Sequence, residues 1–400
     1  MIEKHAIRFD EARSFLVDAA LPLWTTRGVY DNGCFVEHFD LAANPVDPGY
    51  TRIRAQARQI YVLSHAEAAG LYRSRAVADR AIEFFIASAW LGPDRGWARR
   101  ISRHGALIDP TSDLYEISFA LLALAWRHRV APDPRLLAIA HQTLDFLDAR
   151  MRHPRAGFHN DSEASAPRQQ NPHMHLAEAM NAWFEASGDA RFLRLAGELV
   201  DLVEHRLTNP RTGALGEFFG DDWTPVAGLK GDIVEPGHQF EWAWIVGHYG
   251  RLSGKPRRDL MRRLIASGLR HGYDEATGLT IDQVGRDGRP IATSRRLWPQ
   301  TEALKATLAA GEFLDAPEPS RVAAITAAIL DRFLKPAPEP GTWIDHFDAN
   351  GAVIVDKIPA TSLYHVALAF FELLRLRATY DTGPASEKPC APSTTASPPP

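Results

Sequence analysis

A cassette of roughly sixty residues recurs six times along the 400-residue chain, and such a repeat restricts the possible folds more than any other feature. Each copy opens with a glycine and a short apolar or aromatic stretch. These openings are Gly33-Cys34-Phe35-Val36, Gly96-Trp97-Ala98, Gly157-Phe158-His159, Gly213-Ala214-Leu215, Gly278-Leu279-Thr280-Ile281 and Gly341-Thr342-Trp343-Ile344, spaced by 56 to 65 residues. A polar loop follows, then a long amphipathic segment. Six near-equal supersecondary units can close into a ring instead of stacking as an open array.

Helical periodicity fills the repeat. Apolar residues recur every three or four positions before the glycines, as over 13–24, 76–90, 135–151, 190–207 and 321–334. They do so again after each loop, over 52–69, 114–127, 173–186, 238–252, 299–310 and 362–377. Short turns such as Ser187-Gly188-Asp189 and Ser253-Gly254-Lys255-Pro256 join the second segment of one unit to the first of the next, which makes them antiparallel neighbours. Hairpin-like pieces are expected over 281–288 and over 343–353, across Asn350-Gly351. The expected fold is all-α: an (α/α)6 barrel of twelve helices with short β-hairpin-like loops at the mouth where every inner helix starts. One domain is expected over residues 1–380, followed by a disordered Pro/Ser/Thr-rich tail over 381–400.

Composition narrows the class of function. A net charge of −4 leaves no electrostatic footprint for nucleic acid or an anionic membrane, and no apolar stretch reaches the length of a span or a secretory signal. Two cysteines, Cys34 and Cys390, exclude a disulfide framework, and a cytoplasmic protein is expected. Oligomeric state is not readable from these helix faces. No phosphate-binding loop, dinucleotide fingerprint or Gly-x-Ser-x-Gly elbow is present. The His and carboxylate spacing lacks two histidines at i and i+4 on one helix face, so neither metal nor cofactor is expected.

The groups able to do chemistry gather in the first turns after the loops. They are Arg54 and Arg58; Tyr115 and Glu116; His173, His175 and Glu178; His238, Glu241 and Trp242; Arg295, Arg296, Trp298 and Glu302; and Tyr364 and His365. Singly, each reads as a satisfied core or surface residue; jointly, they crowd one end of a barrel. Two imidazoles at such a mouth suit proton transfer at carbon, because one ring can accept a proton while the other, charged, donates one. Glu241, three residues after His238, is expected to hold that imidazole, and an arginine with helix N-termini would stabilise a developing oxyanion. These parts match abstraction of the proton alpha to a sugar aldehyde through an enediolate.

At Ala57-Arg58, Met174-His175-x-x-Glu178-Ala179, Pro236-Gly237-His238-x-x-Glu241-Trp242, Trp298-x-x-x-Glu302-Ala303 and Tyr364-His365, the chain resembles the N-acylglucosamine 2-epimerase superfamily over nearly its whole length. The resemblance implies metal-free isomerisation or epimerisation of a monosaccharide, with His238 and His365 as the acid/base pair and His175 assisting ring opening or proton handling. It also implies a binding set of Arg58, Tyr115, Glu178, Glu241, Trp298 and Glu302. The presence of His175 separates the chain from acylglucosamine epimerases, and Leu368 stands where cellobiose 2-epimerases carry an arginine. The resemblance is therefore greatest to the D-mannose (aldose–ketose) isomerase branch, which implies interconversion of D-mannose and D-fructose. A phosphorylated or sulfonated sugar would need a further cation, for which Lys230, Arg295 and Arg296 are candidates. The alternatives are a 2-epimerase of cellobiose or a related sugar, a glycoside hydrolase using Asp109, Asp113 or Glu116, and a non-catalytic sugar-binding protein.

Overall fold

Twelve helices in six pairs make up the computed structural model, which describes residues 6–380; the tail expected over 381–400, with Cys390, lies outside the described residues. In chain order the helices are α1 (residues 9–26), α2 (Ile53–Ala68), α3 (Arg75–Ala89), α4 (Leu114–Val130), α5 (Pro134–Phe146), α6 (Asn171–Ser187), α7 (Ala190–Leu202), α8 (Pro236–Ser253), α9 (Arg258–Gly272), α10 (Leu297–Leu314), α11 (Pro319–Ala328) and α12 (Ser362–Arg375). Odd-numbered helices form the outer ring and even-numbered ones the inner. Single-turn helices at Leu229–Asp232 and Arg377–Tyr380 are additions. Three inner helices start two residues earlier than their periodicity suggests, because Pro172, Pro236 and Pro299 sit in the first turn, where a missing N–H leaves no bond unmade.

Side-chain pattern assigns each helix to its ring. In α4 nearly every residue from Leu114 to Ala125 is buried, as an inner helix covered on all sides requires. In α7 burial is confined to a stripe of Phe192, Leu195, Ala196, Leu199, Val200 and Leu202. Each inner helix packs on the next, and α12 returns to pack on α2, which closes the ring.

The cassette glycines hold one shared geometry. All six have φ between +66° and +93°, where a side chain is strained, and at Gly157 an added Cβ would lie 2.7 Å from Nε2 of His173. The residues just after the glycine are then docked onto the start of an inner helix. Gln56 bonds both backbone groups of Phe35 (2.7 and 2.8 Å), Gln300 does the same to Thr280 (2.6 and 2.8 Å), and Nε2 of His173 accepts from Phe158 N (3.0 Å).

The loops at this end form a second ring of short strands joining adjacent units. Thr51–Arg52 pairs with Arg100–Ile101, Arg168–Gln169 with Phe218–Phe219, Ile233–Val234 with Gln283–Gly285, and Arg295–Arg296 with His346–Phe347. Lys357–Pro359 of the last unit pairs with His38–Asp40 of the first, and the bridge between Asp113 and Asp161 links the second and third. Gln283–Gly285 and Pro290–Ala292 form the expected hairpin around Asp287-Gly288; the one expected around Asn350-Gly351 is reduced to a bridge between Phe347 and Val353. Among the described residues no helix is long and apolar enough to cross a membrane.

Candidate active site

A cavity of about 340 Å³ opens inside the strand ring, at the N-terminal ends of the inner helices. Seven of the nine expected site residues line it: Arg58, Tyr115, His175, His238 and His365, with Glu241 deeper in and Trp298 from the start of α10. Glu178 and Glu302 do not line it; they stand behind the histidines.

Arg58 is 4% exposed, with its guanidinium 4.1 Å from the Phe119 ring centre and 4.9 Å from that of Tyr364. It donates to Tyr115 Oη (2.9 Å) and to the Thr361 carbonyl (3.1 Å), and no carboxylate among the described residues pairs with it. Its charge is thus directed into the cavity without neutralisation. Arg54, one turn earlier, is turned aside into an ion pair with Glu116. Asp113 caps α4 by accepting from Tyr115 N (2.9 Å) and Glu116 N (3.2 Å), which sets the Tyr115 ring.

Each of the three cavity histidines is held at Nδ1 by a buried glutamate, leaving Nε2 as the other ring nitrogen. His175 lies 3.1 Å from Glu178 Oε2, and Glu178 also accepts from the Tyr364 hydroxyl at 2.6 Å. His365 lies 2.7 Å from Glu302 Oε1. His238 lies 3.0 Å from Glu217 Oε2 and 3.5 Å from Glu235. The Trp298 ring stands beside both of the last two imidazoles, with centroids 4.8 Å from His238 and 5.7 Å from His365.

The partner of His238 corrects the sequence expectation. Glu241 does not hold it, because three residues along the helix Glu241 points deeper, to 4.0 Å from His175 Nδ1 and 3.9 Å from Lys305 Nζ. Its two carboxylate oxygens are buried and make no hydrogen bond among the described residues. Glu217 was missed, although a signal for it exists: an acid stands four residues after the cassette glycine at Glu37, Asp161, Glu217, Asp282 and Asp345. Elsewhere this acid ties the loop to the next inner helix, as Asp345 does with Ser362 Oγ and Asp282 with Arg296 N (2.9 Å). In the fourth unit it meets an imidazole instead.

Charge state separates the two outermost histidines. Burial alone would lower the pKa of His238, but Glu217, Glu235 and Glu241 override it and raise it to about 9, so the ring is an imidazolium at neutral pH. His365 is held well below the ordinary value by burial and then by Arg58, Lys305, His175 and His238, so it is neutral. His175 is also lowered, by burial above all. His173 is fully buried beneath the third cassette opening, accepts from Phe158 N and contacts the Gln169 carbonyl, and takes no part in the cavity.

The remaining candidates are dispersed. Arg296 lines the cavity but is engaged by Glu235 (3.4 Å) and Asp282 (3.2 Å); Arg295 donates to the Ala349 carbonyl; and Lys230 stands 4.7 Å from the ring centre of Phe218 at the mouth. Asp109, Asp113 and Glu116 face Arg99 or Arg54 and do not line the cavity. Ligand-type atoms lie within 4.8 Å of one another in the sets His175, Glu178, Glu241 and Glu241, Glu302, His365. In the second set a cation is already supplied by the Lys305 ammonium, 2.6 Å from Glu302.

The chain matches the N-acylglucosamine 2-epimerase (GlcNAc 2-epimerase) family over residues 33–369. It is 35% identical over 372 residues to a mannose-6-phosphate isomerase of Rhizobium meliloti (strain 1021), covering 91% of this chain and 96% of that protein. It is 26% identical to a D-mannose isomerase of Thermobifida fusca, over 66% of this chain and 69% of that one. The fold is shared with a cellobiose 2-epimerase from Spirochaeta thermophila DSM 6192, at a TM-score of 0.82 and 22% identity over 93% of this chain and 96% of the other. The chain belongs to the N-acylglucosamine 2-epimerase family and is a sugar isomerase or epimerase.

Proposed function

We propose that this protein interconverts D-mannose and D-fructose by metal-free proton transfer through a cis-enediolate. The observation that carries the reading is the pairing of an imidazolium, His238, with a neutral imidazole, His365, on either side of Trp298 in one cavity. Neutral His365 takes the C2 proton of the open-chain aldose while His238 donates its proton to O1. The enediol so formed returns its O2 proton to His238 and receives at C1 a proton from His365 after that ring has exchanged with solvent, which gives the ketose and restores both rings. Arg58, with no carboxylate to neutralise it, stabilises the charge that develops on oxygen. His175, braced by Glu178, assists ring opening, and the Trp298 face packs on the sugar.

An unphosphorylated sugar is favoured by charge. Glu217, Glu235, Glu241 and Asp345 line the cavity against two arginines, and Arg296 is already engaged by Glu235 and Asp282. A phosphate dianion would meet more negative than positive charge. Mannose 6-phosphate is the second reading. It draws support from the printed activity of the 35% identical relative and from Lys230, which stands at the mouth without a carboxylate partner among the described residues.

The test is to incubate chelator-treated protein with D-mannose, D-mannose 6-phosphate and cellobiose in heavy water. Fructose carrying deuterium at C1, formed faster from free mannose, is the expected result. Glucose as the product of mannose would make the enzyme an epimerase, faster turnover of the phosphate ester would establish the second reading, and loss of activity to the chelator would overturn the metal-free mechanism.

A further inference from the structure

Lys305 is 0% exposed in the middle of the barrel, one turn after Glu302 on α10. Lysine is almost never buried to this extent unless its charge is matched. Its ammonium lies 2.6 Å from Glu302 Oε2 and 3.9 Å from Glu241 Oε1, and it stands 4.5 Å from the Trp244 ring centre. Glu178 of α6 also acts on it through space. These three glutamates are 0 to 5% exposed, and each touches or approaches a cavity histidine: Glu302 holds His365, Glu178 holds His175, and Glu241 lies 4.0 Å from His175. One buried cation therefore serves three buried carboxylates that stand behind two imidazoles.

We propose that Lys305 is a positioning residue, an internal counter-ion to Glu302 and Glu241 that keeps His365 a neutral base, with its Nδ1–H donated to Glu302 and its Nε2 lone pair available for the substrate. The argument rests on the catalytic reading above for the role of His365, and on the geometry of the ion pair for the role of Lys305. Burial and Glu241 push the Glu302 carboxyl up, and the ammonium at 2.6 Å opposes them, favouring the ionised form that accepts from His365 Nδ1–H. Without it, the carboxylates attract a second proton onto the imidazole, which then has no lone pair to offer. The groups facing His365 act in two directions. Arg58 from α2 and His238 from α8 oppose a second proton as Lys305 does, and His175 from α6 adds to them; the carboxylates of Glu302, at 2.7 Å, and Glu241, within 4.8 Å, favour it. Removing Lys305 shifts this balance toward imidazolium.

The test has two arms, one of which needs no variant. The chain has seven lysines, so selective 15N labelling makes the Lys305 Nζ signal assignable in the wild-type protein. Lys305 is expected to stay an ammonium from pH 6 to pH 10 and its shift to respond only at lower pH, where His365 titrates; a neutral amine between pH 6 and pH 10 overturns the proposal. In the second arm, Lys305→Met is compared with wild type by NMR titration of the His365 imidazole and by the pH profile of kcat/KM. Both should move the His365 transition to higher pH by a unit or more, with the acid limb following it and Lys305→Arg lying closer to wild type. A merely structural lysine would lower activity uniformly and leave both transitions in place, which would refute the proposal. Because the titrations read His365 directly, they remain decisive even if the substrate proves to be other than mannose.

Discussion

Replacing Glu217 with Gln removes a charge while keeping the volume and a hydrogen-bonding side chain beside His238. The wild-type imidazole is raised from 6.5 to about 9 against the opposing effect of burial, with Glu217 at 3.0 Å as the largest contributor to the rise. At about 1.4 kcal/mol per pKa unit, the net preference for imidazolium amounts to roughly 3 kcal/mol. Glu235, more distant at 3.5 Å, remains in the variant but cannot replace the lost hydrogen-bonded ion pair. The His238 transition should fall by about two units, to near or below 7. Acid catalysis needs the protonated ring, so the alkaline limb of kcat/KM should move from near 9 to near 7, and activity at pH 8 should drop about tenfold. Stability carries the same signature with a definite sign. A histidine whose folded pKa lies above its unfolded value stabilises fully below about 6.5, and this contribution is lost as pH rises through about 9. Wild type should therefore lose up to roughly 3 kcal/mol between pH 6.5 and 9 from this group, and Glu217→Gln should lose little. Steady-state pH profiles and urea denaturation at pH 6.5 and 9 measure the two effects. An alkaline limb that stays where it is in the variant, with activity merely scaled down, refutes the assignment of His238 as the acid.

Three other substitutions separate the remaining roles. His365→Ala should lower kcat by about 10² to 10⁴ while mannose still raises the melting temperature; equal loss of turnover and of ligand stabilisation would point to binding alone. Arg58→Met removes the cavity's one arginine without a carboxylate partner among the described residues, so kcat/KM should fall about 10- to 100-fold, and the acid limb should shift upward because Arg58 helps to keep His365 neutral. An unmoved limb would detach Arg58 from the base. Gly157→Ala forces a Cβ into positive φ and against His173, and should destabilise the fold by about 1 to 3 kcal/mol in denaturant while leaving the pH profile unchanged.

Much of this architecture could be read from the chain because a repeat states the same packing problem six times. Gly33 and Gly278 occur in different local sequences, yet both need positive φ, and each is followed by a residue that docks on a glutamine of an inner helix. The helix starts, where polar groups must face the mouth, inherit that regularity, so position in the repeat is enough to bring His175, His238 and His365 to the cavity. Pairings between units were not readable. Glu241 shares a helix face with His238 at i,i+3, which made it the natural partner, but a barrel offers a buried helix partners on both sides and from the loops above. Glu217 reaches His238 from the loop before a short strand, 21 residues upstream. Lys305 has the spacing of an exposed i,i+3 ion pair with Glu302, and only closure of the ring shows that this face of α10 is interior.

The division of labour between His238 and His365 follows from the same closure. Both imidazoles are buried, and both have Nδ1 on a glutamate at 3.0 Å or less, so neither burial nor the first partner can account for their opposite charge states. The difference lies in what stands next. Around His238 a second carboxylate, Glu235, adds to the first at 3.5 Å, and two negative groups hold one proton. Around His365 the carboxylate is already engaged by Lys305, and Arg58 contributes a further positive charge across the cavity. Two copies of one motif, a helix-start histidine on a buried glutamate, thus take opposite charge states according to which neighbouring unit supplies a cation, and the proposed acid and base roles follow that difference. Removing both neighbours should erase the difference: adding Glu217→Gln to Lys305→Met should bring the two transitions together and abolish the separation on which the proposed mechanism depends, so the double variant should lose more than either change alone at every pH.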